Sequence, residues 1–156
     1  MKTTYRRRLS LRALLLSALL LLVVSGCQSI VSLDPAPDSN NPNCAPVIVR
    51  LPDEVGRLAK RETDAQATGA WGDPVQVILT CGLAPLGPVA QPCFTYGDID
   101  WVIDDTADDV IIATVFGRDP GLSVKIDGDL ESPATVLKEL SYAISFLPEN
   151  ERSCLG

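Results

Sequence analysis

The sequence predicts an α+β domain in which about four strands form an antiparallel β-meander and two helices pack on one face, in the order α-β-β-β-β-α. Three observations lead to this prediction. Apolar residues alternate with polar ones in several runs between residues 75 and 127, which is the pattern of half-solvated strands. Short turns separate the last three runs, so consecutive strands are expected to pair antiparallel. Apolar residues then recur at helical spacing after Ser132, and amphipathic helices need a sheet face to cover.

The first 26 residues have the organisation of a lipoprotein signal peptide. Basic residues between Lys2 and Arg12 precede an almost wholly apolar run, 13–24, which is shorter than the roughly 20 residues that span a bilayer. The run leads into Val24-Ser25-Gly26-Cys27, which resembles the bacterial lipobox. The resemblance implies that Cys27 receives a diacylglyceryl group and becomes the mature N-terminus, held on the extracytoplasmic face of the cell membrane. The alternative is an ordinary signal peptide with a cysteine near its cleavage site.

The residues after the leader are strongly acidic. The leader holds five of the 13 Lys and Arg residues and none of the 20 Asp and Glu residues, which leaves 8 basic against 20 acidic residues and a formal charge of −12. This excess argues against binding to nucleic acid and against a domain that lies on anionic lipid. Histidine is absent from the chain, which removes the commonest general base and the commonest zinc ligand.

Four cysteines remain when Cys27 is set aside, and an even number in an exported domain predicts a disulfide framework. Of the three possible pairings we favour the nested one, Cys44–Cys154 with Cys81–Cys93. The inner bridge would close a Pro/Gly-rich stretch and the outer bridge would join the two ends of the domain. A metal or redox site is the weaker alternative, because neither histidine nor Cys-x-x-Cys occurs.

Residues 27–43 are rich in Pro, Asp, Ser and Asn. We expect them to form a flexible tether with an end-to-end distance of roughly 20–24 Å, between the lipid and a single globular domain, 44–156. The first helix of this domain is predicted over residues 52–62. Proline suits a first turn, acidic residues follow it, and basic residues lie near the end of the segment.

Four strands are predicted, over residues 75–80, 98–104, 110–116 and 122–127. In the second, Ile99, Trp101 and Ile103 share one face and the opposite face is mostly aspartate. The third is continuously apolar, so we expect it to be more central. Residues 105–109 and 117–121 have the composition of tight turns and should join the last three strands into the meander.

A second helix is predicted to open at Ser132-Pro133, where a hydroxyl residue is followed by proline at the first helical position. Leu137, Leu140, Ile144 and Leu147 recur at helical spacing. Pro148 ends the run.

Several short motifs occur in an order that resembles a known family. They are a lipobox cysteine, a cysteine before Leu51-Pro52, Ala70-Trp71-Gly72-Asp73-Pro74 opening a strand that ends in Thr80-Cys81-Gly82, Cys93, Asp100-Trp101, Gly117-Arg118-Asp119-Pro120, and a last cysteine after the second helix. This order is similar to that of the actinobacterial lipoprotein family catalogued as domain of unknown function 3515, over nearly all of the mature chain. The resemblance implies an envelope lipoprotein, and it supplies no catalytic residues, cofactor or ligand.

No catalytic residue, cofactor or metal site is predicted. A nucleophilic triad needs a base beside the nucleophile, and the chain has neither histidine nor Ser-x-x-Lys. Asp98, Asp100 and Asp104 would share a strand face, where they are more often a solvated surface than the paired carboxylates of a glycosidase. Asp104, Asp105, Asp108 and Asp109 crowd one turn without the spacing of a calcium loop.

Trp71 and Arg118 are the residues predicted to take part in recognition. Trp71 lies in an Ala-Trp-Gly-Asp-Pro segment and Arg118 in a tight turn, whereas Trp101 is in phase with the apolar face of its strand and is expected in the core. A core position for Trp71 and a solvated turn charge for Arg118 are the alternatives. The sequence therefore predicts a non-catalytic envelope module that binds a protein or wall component. The alternative is a hydrolase that acts on envelope polymers with aspartate carboxylates.

Overall fold

The computed structural model describes residues 29–107 and 109–154. Two short helices occur in this part of the chain, α1 (Ala45–Ile48), which follows a 3₁₀ turn at Pro42–Cys44, and α2 (Pro133–Ile144). The strands are β1 (Glu54–Val55), β2 (Leu58–Arg61), β3 (Thr68–Trp71), β4 (Val77–Leu83), β5 (Cys93–Tyr96), β6 (Ile99–Ala107), β7 (Val110–Phe116) and β8 (Gly121–Asp127). The predicted signal peptide, 1–26, and the predicted lipidation residue Cys27 lie outside the described residues, as does Asp108.

The eight strands form one antiparallel sheet in the order β1-β2-β3-β4-β8-β7-β6-β5. The protein is therefore α+β but mostly β, with twice the predicted number of strands. The last three strands of the predicted meander are confirmed, because β6 pairs with β7 and β7 pairs with β8. The first predicted strand, β4, pairs with β8 and not with β6, so the four strands do not form one continuous meander. Alternation holds in β8, where Leu122, Val124 and Ile126 are buried.

The helices cover one face of the sheet. In α2, the predicted residues Leu137, Leu140 and Ile144 are buried together with Val136 and Ala143. The helix ends at Ile144, and the fourth predicted residue, Leu147, is buried just beyond it. These residues share one apolar core with Val47 of α1 and with alternate residues of the strands, including Leu79 of β4 and Val124 of β8. The opposite face carries partly exposed residues such as Ile78 and Ser123, so the fold has two layers.

The predicted first helix is wrong. Residues 52–62 contain the β1–β2 hairpin, in which Val55 pairs with Leu58. Its two turn residues, Gly56 and Arg57, have φ angles of 56° and 65°, which is the left-handed conformation that tight hairpin turns require. Gly56, in the middle of this segment, indicates a turn. The helix prediction gave more weight to the acidic residues near the start of the segment and the basic residues near its end. The helix of this region, α1, lies a few residues earlier.

The strands β3 and β5 were not predicted. β3 reads Thr-Gly-Ala-Trp and is buried on both faces, so it shows no alternation and has few β-branched residues. Gly69 in this strand lies against Leu51 and the Trp71 ring, and a Cβ there would come within 2.6 Å of the Leu51 side chain. β5 follows a stretch rich in proline and glycine that predicted a loop.

The cysteines form two disulfides, Cys44–Cys81 and Cys93–Cys154, and not the nested pairing favoured from the sequence. Cys81 lies on β4 and Cys93 on β5, which are separated by three strands in the sheet. At a strand spacing of about 4.8 Å the two cysteines are roughly 19 Å apart, far beyond the reach of a disulfide. Each bridge instead joins a residue outside the sheet to a strand: Cys44, in the 3₁₀ turn, to β4, and Cys154, after α2, to β5.

Residues 29–43, which we call the strap, pack on the domain, so a flexible tether does not describe them. Val31 forms a parallel bridge with Thr63, and the amide of Asp38 donates to the carbonyl of Gly82. Ala36 and Ser39 are buried. The packed domain therefore includes the strap as well as the predicted range 44–156.

Candidate interaction surface

Trp71 is a core residue and cannot contact a partner. Its side chain is fully buried, with strands on both sides, because Trp71 pairs with Lys60 on β2 and Val77 on β4. The indole Nε1 donates a hydrogen bond of 3.0 Å to the carbonyl of Pro52, which satisfies its polar atom. The predicted recognition role is therefore wrong, and the core alternative is correct.

Arg118 holds the fold together and is not a free turn charge. Its Nη1 donates to the carbonyl of Leu147 at 2.7 Å, and its Nη2 lies 3.0 Å from a carboxylate oxygen of Glu149. The side chain is only 11% exposed. Arg118 thus ties the β7–β8 turn to the residues just after α2, and its predicted role as a contact residue is replaced by a structural one.

Two of the three aspartates considered for catalysis, Asp100 and Asp104, have hydrogen-bond partners within the fold. Asp100 accepts from the hydroxyl of Thr95 at 2.7 Å and from the amide of Cys154 at 2.7 Å. The hydroxyl and amide of Thr106 lower the pKa of Asp104, whereas a general acid needs a raised pKa. Among the described residues no group of three His, Cys, Asp or Glu side chains is placed to hold a metal ion.

Asp98 and Asp100 line a polar cleft of about 270 Å³. The cleft lies beside the β7–β8 turn, and residues 149–153 form its other wall. It contains Arg118 and Arg152 as well as carboxylates. Arg118 and Asp100, two of its charged residues, already have hydrogen-bond partners within the fold.

A surface that the sequence analysis missed lies where the two helices meet. Its residues are Val49, Arg50, Tyr142 and Phe146, and we call it the helix patch. Tyr142 is 69% exposed, Phe146 40% and Val49 76%. The rings of Tyr142 and Phe146 meet edge to face with centroids 5.5 Å apart, and the guanidinium of Arg50 lies 3.9 Å from the centre of the Phe146 ring.

The helix patch borders a groove of about 240 Å³. The groove runs between the strap and α1, and its lining includes residues 39–42, Ile48, Val49 and Ala67. The sequence did contain a signal for the patch. Tyr142 and Phe146 are four residues apart in and just after α2, off the buried stripe, so both fall on the outward face of the helix.

An antiparallel sheet with helices on one face and two disulfides defines the class of this protein as a small disulfide-bonded α+β domain. Such bridges form and persist in oxidising compartments, so the disulfides suggest an extracytoplasmic location. The chain belongs to the family described as Protein of unknown function (DUF3515), whose model matches residues 13–152, and the resemblance seen in the motifs is thereby confirmed. No curated protein and no solved structure matches the chain. None of the helices in the described residues is long and apolar enough to cross a membrane.

Proposed function

We propose that this protein is an extracytoplasmic lipoprotein, anchored to the membrane through Cys27, that acts as a non-catalytic module and binds an envelope protein through the helix patch. The exposed aromatic pair Tyr142 and Phe146 is the observation that carries the proposal. Aromatic residues and arginine are enriched where proteins bind one another, and a few such residues supply most of the binding energy.

The helix patch is ordered before any partner binds. Nη1 of Arg50 donates to the carbonyl of Pro46 at 2.8 Å, which holds the guanidinium over the Phe146 ring. Ordering a long side chain on binding costs about 0.5–1.5 kcal/mol. Because the contacts of Arg50 already restrict it, much of that cost is avoided when a partner docks.

The size of the neighbouring groove favours a protein partner over a small molecule. Small-ligand sites enclose roughly 300–1,000 Å³, and this groove holds about 240 Å³. A groove of this volume suits one apolar side chain from a partner. Aromatic and aliphatic anchors of that kind are typical of the centre of a protein interface.

Membrane anchoring is supported by the leader and the cysteines. The basic segment, the short apolar run and the lipobox-like Val24-Ser25-Gly26-Cys27 occur in the required order. The two disulfides fit the same compartment.

Photo-cross-linking in intact cells tests the binding surface. Benzoylphenylalanine replaces Phe146 in one strain and Phe94 in another. Phe94 is the matched control, because it is 44% exposed against 40% for Phe146 but lies on β5. We expect one reproducible protein adduct from position 146 that is missing from position 94. The same adducts from both positions, or none from position 146, would contradict the proposal.

A charge substitution at the edge of the patch provides the second test. Tyr142→Asp should abolish the adduct from position 146 while leaving the thermal melting temperature nearly unchanged, because Tyr142 is 69% exposed. An undiminished adduct in the Tyr142→Asp strain would show that the captured protein does not bind through the helix patch.

A further inference from the structure

The strap is fixed to the domain from its first described residue. Nη2 of Arg61 donates to the carbonyl of Ser29 at 2.8 Å and to its hydroxyl at 3.0 Å. The side chain of Arg61 is only 4% exposed. It is itself held by the carbonyl of Gly72 at 2.9 Å and by the carboxylate of Asp73 at 3.1 Å. Ser29 is therefore hydrogen-bonded to a buried guanidinium whose other contacts fix its position beside the sheet. We call this arrangement the Arg61 clasp.

Further contacts fasten the strap beyond the clasp. The amide of Val31 donates to the carbonyl of Glu62 at 2.8 Å, and the amide of Leu33 donates to a carboxylate oxygen of Asp64 at 2.9 Å. The latter bond is the main cause of the lowered pKa of Asp64. The strap therefore adds no free length between the lipid anchor and the domain.

The distance from the anchor to the clasp follows from chain geometry. Cys27 and Ser29 are two peptide steps apart, which span at most about 7 Å. The headgroup layer of one leaflet is about 5–8 Å thick. A free tether over residues 27–43 would instead give roughly 20–24 Å. The clasp thus reduces the reach of the anchor to about the thickness of the headgroup layer.

We propose that the end of the domain that carries the Arg61 clasp is held against the outer surface of the membrane, with Ile30 in contact with the lipid. This inference rests on the proposed acylation of Cys27. Ile30 is 64% exposed on the domain, directly follows the clasped Ser29, and is the large apolar side chain nearest to Cys27 among the described residues. Contact with the headgroup and acyl boundary removes its apolar surface from water.

The charges around the clasp do not attract the domain to the membrane. Glu62, Asp64 and Asp73 are exposed there, and anionic lipid repels carboxylates. The short covalent connection between Cys27 and Ser29 therefore keeps this acidic end of the domain at the membrane surface, without any electrostatic attraction. Lengthening the connection should therefore release the domain from the membrane surface.

The test uses the full, acylated protein reconstituted in vesicles of phosphatidylcholine and phosphatidylglycerol, with benzoylphenylalanine at position 30. The control carries the same group in place of Ile112, an aliphatic residue of β7 that is also exposed. Mass spectrometry measures phospholipid adducts. We expect adducts from position 30 and few from position 112. A flexible Gly-Ser linker of about 20 Å inserted between Gln28 and Ser29 should lower the yield at position 30 roughly tenfold.

Three outcomes distinguish a failure of the membrane contact at Ile30 from a failure of the proposed acylation of Cys27. Equal yields at positions 30 and 112, or a yield at position 30 that the linker leaves unchanged, would overturn the membrane contact while leaving acylation intact. Mass analysis of the N-terminal peptide from the same vesicles reports acylation directly. An unmodified Cys27 would refute both the anchor and this inference.

Discussion

The disulfide between Cys44 and Cys81 should contribute more to stability than the one between Cys93 and Cys154, although it closes the shorter loop. The sequence separations are 37 and 61 residues. Loop entropy alone gives about 4 kcal/mol for each bridge, with the longer loop ahead by about 0.4 kcal/mol. Burial of the cysteine side chains reverses the order of the two contributions to stability. Cys44 and Cys81 are 1% and 0% exposed, whereas Cys93 and Cys154 are partly exposed.

The perturbation is a pair of double variants, Cys44→Ala with Cys81→Ala, and Cys93→Ala with Cys154→Ala. Removing a buried sulfur resembles removing a buried methylene, at about 1 kcal/mol each. The first variant should therefore lose about 6 kcal/mol of unfolding free energy and the second about 4 kcal/mol. Urea unfolding followed by tryptophan fluorescence measures both losses, because Trp71 and Trp101 are fully buried.

Two results would refute this reasoning. If the Cys93 and Cys154 variant lost as much stability as the other or more, burial of the sulfurs would not control the order. Peptide mapping of the unreduced protein tests the pairing itself. A peptide that links Cys44 to Cys154, or Cys81 to Cys93, would contradict the observed connectivity.

Three other substitutions test the fold, and urea or thermal unfolding measures each. Trp71→Ala should cost about 3–5 kcal/mol, whereas Phe94→Ala, at an exposed ring, should cost far less; equal losses would contradict the core position of Trp71. Gly82→Ala should destabilise by about 1–3 kcal/mol, because the φ of Gly82 is +97° and a Cβ there collides with a strap carbonyl. Gly87→Ala is the control, since a Cβ there meets nothing within 4 Å, and a similar loss in both variants would argue against the collision. The pKa of Asp64 is lowered below the ordinary 3.8 by a strap amide, so its ionised form stabilises the fold above that pH and this contribution is lost as the pH falls further. Asp64→Asn should therefore destabilise the protein at pH 6 and less so near pH 3; a pH-independent effect would show that the strap hydrogen bond does not favour the ionised form.

The parts of the fold that could be predicted are those in which local pattern and tertiary environment agree. The strands β6 and β8 and the helix α2 each have one apolar and one polar side. Their burial could therefore be predicted from the spacing of apolar residues such as Leu122 in β8 and Leu137 in α2. The proline after Ser132 marks the start of α2 correctly.

The missed parts depend on partners that are distant in sequence. β3 is an inner strand between β2 and β4, all four of its residues are buried, and its small residues carry no periodic signal. Disulfide pairing follows the order of the strands in the sheet, in which three strands lie between β4 and β5. The strap reads as a linker by composition, and only the buried Arg61 and the edge formed by residues 62–64 show why it is ordered.

The recognition residues were misplaced for a related reason. Tryptophan and arginine are common in interfaces and equally able to organise a protein interior. Trp71 and Arg118 both have backbone carbonyl partners within the fold, which no local sequence feature reveals. The exposed aromatic pair at Tyr142 and Phe146 was the better guide, since a helix whose buried stripe is already complete has no internal use for two further rings.

The position of the Cys44–Cys81 bridge has a mechanical consequence. Tension applied through a lipid anchor at Cys27 would peel the strap from its edge one hydrogen bond at a time. Peeling would stop at Cys44, because that residue is covalently joined to β4 near the middle of the sheet. Residues 29–44 span about 50 Å when extended. The strap can therefore lengthen under tension while the strands and α2 keep their structure.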